Sequence, residues 1–370
     1  MWGLGLALGL GLAALGGCSE APEVRYETEH FEIATDFDAP VCAGTMRYFE
    51  DHLAFAEAEL RRSLPHGTKI RLYWLEDSLG EWCREGATGC FYPGTQVIFA
   101  EGKSITHEVI HALLNAEAQT SLFMEEGLAE VYSGVGVRYG KRAGEAPPVA
   151  ELVWLTTKEY QDRELDYALA GHFAAWLERE FGRATTQRLA EVVIEGGGPA
   201  ELEAALDRMT SRDIERIEEL YGHVGRRTFG GLRESAVPEL QFDTGLDLSL
   251  DCASEDTLGP LPNGTGGLYR VLRFSIDEPR VLELRLYSGP DVRLDLIDTT
   301  HERNEGRVID FFMPQPSDHI DHPRLTGDEH RELPLTAGTY LLYLSSPGEE
   351  AETVSLEAHL SPARQSGFPQ

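Results

Sequence analysis

The stretch SITHEVIHALLNAEAQTSLFMEEGLAE, residues 104–130, decides how the chain is read. Ile105, Val109, Ile110, Leu113 and Leu114 recur at helical spacing, so residues 104–116 read as a helix with an apolar body. Inside it, His107-Glu108-Val109-Ile110-His111 is an HExxH pattern. Positions i and i+4 of a helix share a face, so both imidazoles can aim at one ion, and neutral imidazole is a good zinc ligand. Glu108 lies about 100° round the helix, where it can reach a water on that ion without being a ligand. The same pattern arises by chance as a surface pair in a chain with 12 histidines, so the flanking segments matter.

Upstream, EHFEIAT (29–35) alternates like a strand, residues 43–63 carry a helical apolar period, and KIRLYWL (69–75) and TQVIFAEG (95–102) read as strands. The segment holding Cys83 and Cys90 reads as a loop between them. Downstream of a helix at 121–134, further helices are expected at roughly 166–181, 184–195, 199–208 and 211–222. Short strands followed by helices imply an α+β domain, placed at residues 26–235.

The pattern changes near residue 240. YRVLRFSI, RVLELRLYS, VRLDLID, TYLLYLSS and TVSLEAHL alternate with turn-forming clusters and show no helical period. This predicts a small all-β sandwich over residues 242–362, joined through the linker region FGGLRESAVPEL (229–240). The His319, His322 and His330 cluster, with Asp318, Asp321 and Asp328, reads as a polar loop in which a second metal site is conceivable. Asn263-Gly264-Thr265 reads as a turn.

Within 20 residues of His111, Phe123-Met124-Glu125-Glu126-Gly127-Leu128-Ala129-Glu130 resembles the E-G-x-A segment of gluzincin metallopeptidases, above all their peptidase MA-like members. The resemblance implies a zincin-like metallopeptidase domain with one catalytic zinc. It makes Glu126 the third ligand beside His107 and His111, with the neighbouring Glu125 open as the alternative. Glu130 would hydrogen-bond a ligand histidine, and Glu108 would be the general base for a water at the fourth position. Tyr167-Ala168-Leu169-Ala170-Gly171-His172-Phe173 resembles a later helix of the same domains, which implies Tyr167 as the oxyanion donor; His172 is the other candidate. TQVIFA (95–100) takes the place of the clan's edge strand, which pairs with substrate backbone. Metzincins fit less well, because their following glycine and third histidine are missing. Leu335-Thr336-Ala337-Gly338-Thr339-Tyr340 resembles a strand of bacterial pre-peptidase C-terminal domains.

The N-terminal run Trp2 to Leu15 is apolar and of signal-peptide length. It ends in Leu15-Gly16-Gly17-Cys18, which resembles the bacterial lipobox. Residues 1–18 are thus expected to be a lipoprotein signal with Cys18 lipidated, followed by a tether at 19–25. Ser19 is not an inner-membrane retention aspartate, so an outer-membrane or surface location is expected, with the periplasmic face as the alternative. Four cysteines remain. An even number in an exported chain suggests disulfides; the small two-glycine loop favours Cys83–Cys90, leaving Cys42–Cys252.

With 63 Asp and Glu against 32 Lys and Arg, the chain carries a net charge of -31. That excludes a general nucleic-acid binder and docking on anionic lipid through a basic face, and suits a monomer kept apart by self-repulsion. The expected partners are a peptide or protein substrate and, through the lipid, a membrane. The alternative function is a catalytically silent envelope lipoprotein that uses the fold as a binding scaffold.

Overall fold

The computed structural model describes residues 21–115, 120–133, 138–139, 148–155, 167–222, 227–228, 237–261, 264–300 and 323–363. The signal segment with Cys18, Asn263 and the Asp318–His322 part of the histidine cluster lie outside the described residues.

The first half is built on a five-stranded sheet. Strands β1 (Val24–Glu27), β2 (Phe31–Thr35), β3 (Ile70–Trp74), β4 (Gly89–Tyr92) and β5 (Val97–Ala100) lie in the order β1-β2-β3-β5-β4. β2, β3 and β5 are parallel, while β1 and β4 run antiparallel along the two edges. Parallel neighbours need a crossover, and helix α1 (Ala43–Leu60) provides it between β2 and β3. Its buried Phe49, Leu53, Ala56 and Leu60 follow a helical stripe and meet Phe31, Ile33, Ile70, Leu72, Trp74 and Ile98 of the sheet.

The same core takes in the helices that follow: α2 (Ile105–Leu114), α3 (Leu122–Tyr132), α4 (Val149–Leu152), α5 (Tyr167–Phe181), α6 (Arg183–Ile194), α7 (Pro199–Thr210) and α8 (Ile214–Gly222). A two-stranded pair, β6 (Arg138–Tyr139) with β7 (Arg227–Thr228), completes this part.

Three expectations change here. β1 absorbs Val24 and Arg25 from the stretch read as a tether. The segment between Cys83 and TQVIFAEG, read as a loop, contains the strand β4. β4 is then the edge, and β5, expected at the edge, is flanked on both sides.

The second half is two four-stranded antiparallel sheets sharing one core. One holds β8 (Gly245–Leu250), β10 (Arg280–Tyr287), β13 (Glu329–Leu335) and β15 (Glu352–Pro362), ordered β13-β10-β15-β8. The other holds β9 (Leu268–Ile276), β11 (Arg293–Asp298), β12 (Arg324–Thr326) and β14 (Gly338–Ser346), ordered β12-β11-β14-β9. Alternation decides which side chains face inward: Leu282, Leu284 and Leu286 of β10 are buried while Glu283 and Arg285 point out. Backbone pairing of this half begins at Pro238–Leu240, slightly ahead of residue 242, where Leu240 N–H donates to Arg273 O at 2.7 Å.

The two halves are stitched at the start of α1. Cys42 and Cys252 form a disulfide, as do Cys83 and Cys90. Cys42 N–H donates to Gly259 O and Ala43 N–H to Cys252 O, both at 2.9 Å. The Thr45 hydroxyl donates to Gly259 O at 2.8 Å and accepts from Gly259 N–H at 3.0 Å. Helix N-termini leave N–H groups without intrahelical partners; here strand-connecting carbonyls of the second half supply partners. Gly44 permits the approach, since a Cβ there would stand 2.3 Å from Thr257 O. Among the described residues, no helix is long and apolar enough to cross a membrane.

Candidate metal centre

α2 is buried almost all round: only His107 among Ile105–Leu114 is partly exposed. Such a helix must be covered on every side, and α1, α3, β4 and β5 cover it. It stops at Asn115, which adopts the left-handed conformation (φ 44°) and returns its N–H to His111 O at 2.7 Å. α3 opens with Ser121 as N-cap, its hydroxyl accepting from Met124 N–H at 3.3 Å. Gly127 then lets α3 press onto α5: a Cβ there would lie 2.6 Å from Ala170 O. That close approach is a physical reason for glycine directly after Glu126.

The packing brings three ligand-type atoms together. Glu126 Oε2 lies 3.0 Å from His107 Nε2 and 3.2 Å from His111 Nε2, and the two nitrogens are 3.1 Å apart. Each ring is held from behind at its other nitrogen. His111 Nδ1 is 2.9 Å from Glu125 Oε1, and His107 Nδ1 is 3.4 Å from Glu130 Oε1. Of the two neighbouring glutamates, Glu126 therefore enters the triangle, while Glu125 orients an imidazole instead.

With both Nδ1–H groups facing carboxylates, both Nε2 lone pairs point at the centre beside a carboxylate oxygen. Three electron-rich atoms at such distances call for positive charge between them. Three ligands on one tetrahedral zinc, with bonds of about 2.0–2.1 Å, stand about 3.3 Å apart, within a few tenths of an ångström of the triangle seen here. The residues present fit the ion. The electrostatics agree: burial opposes charge on His111, but Glu126 and Glu125 overcome it and raise its pKa well above the ordinary value. Burial likewise pushes Glu126 up, yet the two histidines bring it down to about 2.

Glu108 is 6% exposed and projects from α2 toward β4. Its carboxylate rests on Gly89, where a Cβ would come within 2.5 Å of Oε1. Burial is the largest influence on Glu108 and raises its pKa above the usual carboxylate range, which suits a proton acceptor in this setting. Tyr167, at the start of α5, is 48% exposed, and its ring centroid lies 6.3 Å from that of His107. His172 is buried and paired through Nδ1 with the Tyr221 hydroxyl at 2.7 Å, inside the helical core and away from the triangle. The site role of Gly89 and the Cys83–Cys90 loop escaped the sequence reading; two glycines inside a short cysteine-bounded loop were the available signal.

No family model matches the chain, and no curated protein matches it in sequence. Among solved structures there is a weak similarity to the pre-peptidase C-terminal domain of a collagenase from Bacillus anthracis, with 11% identity over 33% of this chain and 93% of that one, at a TM-score of 0.23. The chain is similarly matched to PliG from Aeromonas hydrophila, a periplasmic inhibitor of g-type lysozyme, with 13% identity over 34% of this chain and 96% of that one, at a TM-score of 0.24. At these scores neither match bears on how the chain works.

Proposed function

We propose that this chain is a zinc-dependent metallopeptidase of the zincin-like, gluzincin type, acting on peptides or proteins at the bacterial cell envelope. One observation carries the reading: His107 Nε2, His111 Nε2 and Glu126 Oε2 converge within 3.2 Å of one another, with both rings oriented from behind by glutamates. Three protein ligands leave a fourth position open, the arrangement of catalytic rather than structural sites.

When bound, zinc supplies the Lewis acidity that makes water a nucleophile at neutral pH and polarises a peptide carbonyl. Glu108 takes the proton from the attacking water and delivers it to the leaving amine. Glu125 and Glu130 hold His111 and His107 in the tautomer that offers Nε2. The Tyr167 hydroxyl, on the open side of His107, donates to the developing oxyanion. The outer edge of β4, which has no strand partner among the described residues, offers N–H and C=O groups to an extended substrate.

Cys18 and the two disulfides support an exported, lipid-anchored protein. The Leu335–Tyr340 segment supports reading the β-sandwich as an accessory domain of the pre-peptidase C-terminal kind. The acidic charge supports a monomer.

The test combines zinc analysis with cleavage of a random decapeptide library. Wild type should hold one zinc per chain and cleave. Glu108→Gln should keep the zinc and lose cleavage. Protein that takes up no zinc ends the metal reading, and zinc-loaded wild type that cleaves nothing leaves the silent scaffold in its place.

A further inference from the structure

We infer that Arg84 recognises a carboxylate on the substrate, so that the preferred peptides carry an anionic group near the scissile bond, either the C-terminal carboxylate or an Asp or Glu side chain. This rests on the peptidase reading above and goes beyond it, because it names a specificity residue and a substrate class.

The first argument is placement. Arg84 belongs to the loop closed by Cys83–Cys90, whose Cα atoms are 5.8 Å apart. The loop is tied to the start of the metal helix. Thr88 O accepts from Glu101 N–H at 2.9 Å, and the Thr88 and Ser104 hydroxyls are 2.7 Å apart; Ser104 is the residue before α2. At its far end the loop sets Gly89 against the Glu108 carboxylate. Within it, Ala87 N–H closes a turn on Arg84 O at 3.0 Å. Arg84 is therefore carried on a cross-linked, hydrogen-bonded rim directly beside the catalytic carboxylate.

The second argument is charge. Arg84 is exposed, and among the described residues no carboxylate pairs with its guanidinium. That is unusual in a chain with twice as many acids as bases; Arg47, Arg71, Arg183 and Arg270 all have carboxylate partners. The centre itself holds Glu108, Glu125, Glu126 and Glu130, a set that repels an anionic peptide. A guanidinium at the rim reverses that locally, and its planar fork matches a carboxylate.

The third argument is direction. Burial, then Glu126, Glu108 and Glu130, raise the pKa of Tyr167, and the charge of Arg84 acts in the opposite sense. Its field thus reaches Tyr167 on the other wall of the cleft, and the metal triangle lies between these walls. A substrate seated across the ligands passes within reach of Arg84.

Zinc-loaded wild type, Arg84→Gln and Arg84→Lys would be compared on three decapeptide libraries: free acids, C-terminal amides, and amides in which Asn and Gln replace Asp and Glu. Wild type should cleave an anionic library faster than the neutral one, and Arg84→Gln should shrink that ratio about tenfold, mainly through KM. Arg84→Lys should retain part of it. Loss of preference for free acids over amides marks the C-terminal carboxylate as the group recognised; loss between the two amide libraries marks an acidic side chain. The inference is overturned if wild type cleaves all three libraries alike, or if Arg84→Gln slows all three in proportion. No cleavage of any library by wild type overturns the peptidase reading first, and Arg84 falls with it.

Discussion

Two clusters in this molecule bring three ligand-type atoms within 4.8 Å of one another: His107, His111 and Glu126 in the helical half, and Glu283, His330 and Glu332 on the β-sandwich. Their composition is nearly the same, but their surroundings are not. The first sits on two packed helices, and a further glutamate backs each ring. The second sits on an outward face of β10 and β13, with His330 and Glu332 exposed. There Glu283 already has cationic company, accepting from Arg285 Nη2 at 3.0 Å and lying 3.1 Å from His330 Nε2. Arg285 is the main reason its pKa falls. What separates a candidate metal centre from a solvated charge group is therefore burial, ring orientation and an unmet need for positive charge, rather than the residue types.

Removing a ligand from each cluster gives the largest expected contrast. His111→Ala should abolish zinc binding and peptide cleavage together, while His330→Ala should leave zinc content at one per chain, measured by elemental analysis. Glu108→Gln separates binding from chemistry: the metal stays and the cleavage rate falls by about 10²–10⁴-fold. Zinc loss in His330→Ala would mean that the sheet cluster, not the helical one, holds the ion.

The groups behind the ligands come next. Glu125→Gln keeps the shape but weakens the grip on His111 Nδ1, and zinc affinity should fall about 10–100-fold in a chelator competition. Glu332→Gln should not change it. An unchanged affinity in Glu125→Gln would demote Glu125 to an incidental neighbour.

A backbone test follows. Gly127→Ala drives a methyl group against Ala170 O and should cost about 1–3 kcal/mol in denaturant unfolding, with looser zinc binding as α3 moves off α5. Gly245, at the start of β8, has open space where a methyl group would go, with nothing within 4 Å of it. Gly245→Ala should therefore stay within about 0.5 kcal/mol of wild type. Equal effects at both glycines would show that helix approach does not set the position of Glu126.

Much of this arrangement was legible from residues alone. His107 and His111 declare themselves because helical spacing is local, and α2 runs where its apolar period puts it. The alternating stretches after residue 240 gave the strands for the same reason, and an even cysteine count with one short loop gave both disulfides. The parts that were not legible depend on tertiary contacts. Whether Glu125 or Glu126 faces the triangle is a matter of one residue's rotation on α3, fixed by Gly127 against Ala170. The edge strand was misplaced because β4, with the sequence Gly-Cys-Phe-Tyr, is too short to show alternation and is made a strand by pairing with β5. Arg84 carries no local signature at all, and its place follows from a cross-link and from Gly89 lying on Glu108.

The smallest expected effect concerns a carboxylate away from both clusters, and it carries the same lesson into pH. Asp36, just after β2, is partly buried, which by itself disfavours its charge. The N–H groups of Glu76, Asp77 and Ser78 and the Ser78 hydroxyl all donate to it at 2.8–3.1 Å, and together they hold its pKa below the ordinary value. Because the folded pKa is depressed, this carboxylate stabilises the fold fully above its unfolded pKa of about 3.9, and the contribution fades as pH drops through the lower folded value. Asp36→Asn should thus lower Tm at pH 7 and converge with wild type as the pH falls below about 3. Asp36 anchors the turn from which the Cys83–Cys90 loop departs, so cleavage should fall modestly along with Tm. Glu283→Gln, which removes a carboxylate on the open face of the sheet, should leave cleavage unchanged and show a weaker pH-dependent difference in Tm, one that added salt erodes. If salt erodes the Asp36 difference as readily, the backbone donors around it are not what holds its charge.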